Sequence, residues 1–153
     1  MKYLVNHILY TFIQLTYGMV QNLMGILLWL FLHFFYKSKS YYYHGAIVTS
    51  WPFLSSMGLG MFIFFGHSRE ELDYQQKILV HEYGHTIQSC ILGPLFLLVV
   101  GIPSTLWCLM PKYKKLRKEG KYSYFDLYCE KWANYEGERI LHMPSPHQRK
   151  ADQ

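Results

Sequence analysis

The sequence predicts an α+β chain: an N-terminal apolar helix, a short β-hairpin, a helix carrying a polar motif, a short interrupted apolar helix and a C-terminal helix. Three observations carry that expectation. A long apolar run fills residues 8–36, a β-branched and aromatic stretch fills 47–65, and His81-Glu82-Tyr83-Gly84-His85 lies in a segment whose apolar residues recur near helical spacing.

Hydrophobic residues make up 51% of the chain and charged residues only 16%, against about a quarter charged in soluble domains. A membrane protein accounts for that balance most simply. The run at 8–36, nearly unbroken at 23–35, is long enough for a transmembrane helix. It is long for a signal-peptide core, only Lys2 precedes it as a basic residue, and no small-residue cleavage site follows at 37–43, so an uncleaved anchor is expected. Thr11, Gln14, Gly18, Gln21, Gly25 and His33 form one polar or small stripe along it, which should pack on another helix of this chain or of a second copy, making a homo-oligomer through this helix one outcome. His7 and His33, lone histidines on this helix, are read as polar contacts.

Residues 47–65, interrupted at Trp51-Pro52 and again at 55–60, read as two short strands joined by a turn. The next helix is expected over 72–92, with Leu72, Ile78, Leu79, Ile87 and Ile91 as apolar positions, Ser68 as a cap and Gly93-Pro94 as the stop. Within it His81 and His85 are four apart, so both imidazoles face one way and can grip one Zn2+. Glu82 stands beside that face, where a carboxylate acts as general base toward an activated water. Catalytic zinc takes three protein ligands. Glu130 is the expected third, in a helical stretch at 128–134, and Asn134 one turn on is placed to hydrogen-bond a ligand histidine.

His81-Glu82-x-x-His85 followed by Glu130-x-x-Ala133-Asn134 resembles the gluzincin branch of zinc metallopeptidases. The resemblance implies His81, His85 and Glu130 as zinc ligands, Glu82 as base, and Asn134 at a position where many relatives carry aspartate. A neutral amide there orients an imidazole without raising its basicity. The fuller run 81–89, with Leu92-Gly93-Pro94 and Gly101-Ile102-Pro103-Ser104, is similar to small bacterial metallopeptidase-like membrane proteins over roughly residues 40–140. That likeness strengthens the zinc site more than any substrate and implies a bacterial inner membrane, while the gluzincin resemblance implies a peptide or protein substrate. It also suggests that an edge strand near the motif helix holds substrate by backbone hydrogen bonds, although a hairpin that merely covers the helix explains the same residues. Tyr122, Tyr124, Tyr128, Tyr135 and His67 are candidate donors to the oxyanion that amide attack generates.

The apolar stretch 95–110 is short for a span and is interrupted by Gly101 and Pro103. A full crossing would also separate His85 from Glu130, so a re-entrant, interfacial or buried segment is expected. The basic run 112–118, with Lys37 and Lys39, marks this side as cytoplasmic and suits membrane lipid headgroups. No nucleic-acid-binding signature accompanies it, and nucleic acid is not an expected partner. Cys90, Cys108 and Cys129 form no CxxC pair and are expected as packed thiols. The chain divides into an anchor at 1–39, a zincin-like metallopeptidase domain at 40–141 and a flexible tail at 142–153, whose His142 and His147 are read as solvated. Two other functions compete: a membrane scaffold with a structural zinc, which Glu82 argues against, and an intramembrane site-2-type protease, whose aspartate-bearing third-ligand motif is absent.

Overall fold

The computed structural model describes residues 2–53, 55–66 and 71–147, the first five as backbone alone. Helices α1 (Lys2–Thr16) and α2 (Met19–Tyr36) lead into strands β1 (Ser40–Tyr43), β2 (Ala46–Trp51), β3 (Met57–Leu59) and β4 (Phe62–Gly66). Then come α3 (Leu72–Leu92), α4 (Ile102–Leu109), α5 (Pro111–Lys118) and α6 (Tyr128–Leu141). The chain is thus mixed α and β, with six helices and one four-stranded sheet among the described residues.

The N-terminal apolar run is two helices, where one was expected. Near Gly18 the amides of Tyr17 and Gly18 both donate to the carbonyl of Ile13, and the Asn22 side chain donates to the carbonyls of Gln14 and Gly18. A side chain that takes over main-chain acceptors stabilises such a break. Among the described residues, only α2 is long and apolar enough by itself to cross a membrane. Signal sequences and the core helices of soluble proteins share that property, but only 22% of α2 is buried. Its buried residues include Gln21, Asn22 and Gly25, whereas Leu23, Leu27, Phe31 and Phe34 point outward. The predicted stripe packs within this chain: Gln14 and Gln21 reach α3, Gly25 meets Phe62, and His33 stays exposed against Trp29.

The two strands expected over 47–65 are not partners in a hairpin. β2 and β4 run parallel, and each forms its own antiparallel pair, β1 with β2 and β3 with β4. The resulting order, β1-β2-β4-β3, makes β3 an edge. Central strands covered on both faces lose the apolar and polar alternation that reveals pairing. Here Ala46, Val48 and Ile63 pack against Leu79 and Tyr83 of α3, while Phe62 and Phe64 cluster with Leu32 of α2. The sheet is therefore the middle layer between α2 and α3.

α3 has the expected bounds, and Glu71 occupies its N-cap without a side-chain bond. Ser68, the expected cap, and His67 lie outside the described residues. Beyond Leu95 the axis turns by 117°, so α3 and the following apolar segment do not make one straight crossing. Phe96 and Val100 pack on Cys129 at the start of α6, while Leu98, Ile102, Leu106 and Leu109 face outward. Arg117 of α5 donates to the carbonyls of Trp107 and Cys108, fastening the basic helix to the end of α4.

The tail differs from expectation as far as it is described. His142 adopts a left-handed conformation at the end of α6, and the chain folds back so that Ser145 and Pro146 are buried. Glu138 on α6 holds it, accepting from the Ser145 amide at 2.9 Å and the Ser145 hydroxyl at 2.8 Å. His147, solvent-exposed as expected, also reaches the same carboxylate oxygen at 2.8 Å.

Candidate metal centre

Two glycines let α3 and α6 touch backbone to backbone. A Cβ on Gly84, inside the histidine motif, would overlap the carbonyl of Ala133, and a Cβ on Gly137 would overlap the carbonyl of Val80. Their absence permits a close helix crossing that larger residues forbid. One consequence is that Glu130, fully buried on α6, projects between the two histidines of α3. Its Oε2 lies 3.1 Å from Nε2 of His81 and 3.4 Å from Nε2 of His85.

Each histidine is held from behind by a neutral amide. Nδ1 of His81 is 2.7 Å from Oδ1 of Asn134, whose Nδ2 donates to the Pro146 carbonyl at 2.7 Å. Nδ1 of His85 is 2.7 Å from Oε1 of Gln88, whose Nε2 donates to the Cys129 carbonyl at 2.8 Å. Because each amide nitrogen is used on a carbonyl, each amide oxygen must accept, and the imidazole proton sits on Nδ1. Both Nε2 atoms are then bare lone pairs facing a carboxylate oxygen. Three electron-rich atoms this close repel one another unless a cation or a shared proton lies between them.

The spacing suits a metal. Ligands about 2.0–2.2 Å from a tetrahedral zinc stand about 3.3–3.6 Å apart, close to the two separations between Glu130 and the histidines. Oε2 of Glu130 also has no hydrogen-bond donor. The buried His81, His85 and Glu130 can therefore hold a metal ion, their ligand atoms all lying within 4.8 Å of one another.

Without an ion, protons answer the same crowding. Burial opposes charge on His85, but Glu130 overcomes it and raises the imidazole to about 9. Burial likewise opposes ionisation of Glu130, and His85 and His81 outweigh it, holding the carboxyl below its ordinary range. Glu82, only 5% exposed, behaves differently: burial raises it, and the two histidines and the Gly58 amide offset this only in part. Its Oε2 has no hydrogen-bond partner. Gly58 lies in the edge strand β3, where an added Cβ would crowd His85 and the Glu82 carbonyl. The edge strand thus runs directly over the motif.

Among the tyrosines, Tyr122, Tyr128 and Tyr135 are exposed, and the Tyr128 hydroxyl is occupied by the Val99 carbonyl. Tyr124 lies closer to the centre. Burial first, then the charge of Glu130 and more weakly that of Glu82, raise its phenol well above the ordinary value. Phe125 packs its ring on His81, centroids 5.1 Å apart. His7 stacks near His44 and, like His33, His142 and His147, takes no part in the metal group. All three cysteines are free thiols, with Cys129 Sγ 3.8 Å from the Glu130 oxygen that faces away from the histidines. Gln88, Gly84 and Gly137 had been given no role on sequence grounds. A glutamine three residues after a ligand histidine was the one visible hint.

Fold and site together define a mixed α and β chain whose buried His81, His85 and Glu130 can hold a metal ion and, among the described residues, one helix long and apolar enough to span a membrane. No family model matches it, and neither the curated proteins nor the solved structures contain a match.

Proposed function

We propose that this protein is a membrane-anchored zinc metallopeptidase of gluzincin type, with His81, His85 and Glu130 as ligands and Glu82 as general base. The observation that carries the reading is a buried carboxylate, Glu82, with an unpartnered oxygen beside a three-ligand set. A structural site needs ligands but no base. Two imidazoles and a carboxylate suit zinc, a borderline acid, better than the hard cations that favour all-oxygen sites. Bound there, zinc supplies the Lewis acidity that makes a water nucleophilic at neutral pH and polarises a carbonyl.

The residues of the chain divide the remaining work. Glu82, with its proton affinity raised by burial, is matched to taking a proton from water and passing it to a leaving amine. Asn134 and Gln88 hold the imidazoles in the tautomer that leaves Nε2 free. Tyr124, kept protonated, is the best candidate donor to a developing oxyanion. An extended peptide added to the open edge of β3 would run past Glu82, using backbone hydrogen bonds. The outward apolar residues of α1 and α2 support a location at a bilayer, and the lysines at 37, 39 and 112–118 favour a cytoplasm-facing site.

The test pairs metal content with activity in detergent-purified protein. His85→Ala and Glu130→Ala should lose zinc, and Glu82→Gln should keep it while hydrolysis of a quenched peptide library falls by about 10²–10⁴-fold. A Glu82→Gln variant with zinc and full hydrolysis would remove the base assignment. Wild type that binds no zinc would remove the metallopeptidase reading and the structural-zinc scaffold with it.

A further inference from the structure

The folded-back C-terminal segment reaches the metal centre through a single side chain. Asn134 lies between a neighbour that needs an acceptor and one that needs a donor, and its amide serves both, the oxygen toward His81 and the nitrogen toward the Pro146 carbonyl. The carbonyl is held in place by Glu138, one turn beyond Asn134 on α6. One oxygen of that carboxylate collects the Ser145 amide, the Ser145 hydroxyl and His147 Nε2. Ser145 and Pro146 are both buried, so the contact is part of the packed structure.

Resting on the metal-site reading above, we infer that the segment 142–147 is a positioning strap for the metal ligand His81, acting through Asn134, and that its Pro146 carbonyl is what selects asparagine over aspartate at position 134. The chemistry is one of donors and acceptors. An aspartate would serve His81 well, since a carboxylate accepts from Nδ1 and strengthens the imidazole as a ligand. Its second oxygen would then face the Pro146 carbonyl at hydrogen-bond distance with no proton between them, which is repulsive and leaves two buried acceptors unsatisfied. Asparagine resolves the conflict because it presents a donor there. The strap in turn decides which end of the amide faces His81, and through it which imidazole nitrogen stays bare. Asn134, Ser145, Pro146 and Glu138 are positioning residues in this scheme, since none of them touches the metal.

The scheme predicts that releasing the strap has opposite effects in the two backgrounds. Glu138→Ala removes the anchor of Ser145 and His147. Zinc affinity, measured by competition with a chromophoric chelator on the full chain, should fall by about 10-fold when Glu138→Ala is made with Asn134 present. Asn134→Asp alone should also weaken zinc. Adding Glu138→Ala to Asn134→Asp should recover about 10-fold, because the aspartate is then free of the carbonyl. Ser145→Ala with His147→Ala releases the strap by another route and should repeat the pattern if Glu138→Ala unfolds the end of α6. Nitrogen-15 NMR of the imidazoles gives a second readout: the His81 Nδ1 proton should be protected in wild type and exchange faster when the strap is released.

A strap that merely stabilised the fold would lower affinity in both backgrounds and leave the His81 proton alone, and that result overturns the inference while the metal site stands. Wild type that binds no zinc overturns both.

Discussion

α3 has two polar flanks, and they are built from different chemistry. Toward α6 it buries His81, Glu82, His85 and Glu130, all titratable. Toward α1 and α2 its buried polar contacts run mainly through amides and hydroxyls: Gln14 donates to the Thr86 carbonyl, Gln21 to Ser89 and the Gly93 carbonyl, and Asn22 to Gln14. Amides can satisfy one another without charge, which suits a helix contact whose other side is apolar and exposed. Bare carboxylate and imidazole lone pairs cannot, and burying them together costs stability unless something positive joins them. The flank toward α1 and α2 is therefore packing and the flank toward α6 can bind a metal ion, although both are polar, buried and on one helix.

That division is tested most severely by removing a ligand. Glu130→Ala should lower zinc affinity by more than about 100-fold, beyond what loss of an outer partner produces, while Gln21→Leu leaves metal content at the wild-type level. Equal zinc loss in the two variants would erase the distinction. Protons offer a second handle on the titratable flank. Without zinc, His85 has a folded value of about 9 against an ordinary 6.5, so its stabilising contribution is complete below pH 6.5 and is lost as pH rises through about 9. Glu130 is shifted the other way, so its contribution is present above its ordinary 4.5 and is lost as pH falls. The zinc-free protein should therefore melt highest between about pH 4.5 and 6.5 and lower by pH 9. Zinc must displace the His85 proton, so its affinity should climb over pH 6.5 to 9. A flat affinity across that range would mean that no proton is held between the ligands.

The sequence made one flank far more legible than the other. Spacing of four residues on a helix is a local property, so the His81 and His85 pairing, the bounds of α3 and the approach of Glu130 and Asn134 were all expected and all found. What was missed is non-local. The Pro146 carbonyl lies twelve residues beyond Asn134, and nothing in a proline-punctuated tail announces a buried acceptor. Gly84 reads as a weak helix residue until the Ala133 carbonyl is seen against it. The parallel pairing of β2 with β4 was hidden because both strands are covered on both faces. Gly18 looked like part of a packing stripe and also marks a helix break, since Asn22 competes for the carbonyls there.

Close backbone approach belongs to the titratable flank, and a methyl-scale probe shows it. Gly137→Val should destabilise the protein by about 1–3 kcal/mol, because the added atoms collide with the Val80 backbone and α3 must move away from α6. The same shift withdraws Glu130, so zinc affinity should fall with stability. Gly101→Ala is the matched control, since a Cβ there meets nothing closer than 3.5 Å. It should leave the melting temperature and zinc binding unchanged. Tolerance of Gly137→Val on both measures would show that the helix crossing does not set the ligand distances.

The smallest effects belong to the neutral flank, and their pattern matters more than their size. Gln21→Leu strips the donor from the Ser89 hydroxyl and from the Gly93 carbonyl, at a cost of about 1–3 kcal/mol in detergent. It also removes Gln21 Oε1, a buried oxygen with no hydrogen-bond partner, which offsets part of that loss. Ser89→Ala leaves the Gln21 amide short of one acceptor, although the Gly93 carbonyl remains. Made together, the two changes should cost less than their sum, because deleting both partners removes the desolvation penalty that deleting one exposes. An additive result would mean that the amide and hydroxyl contribute independently. A favourable coupling with wild-type zinc content is what a flank built only to close helices against one another should give.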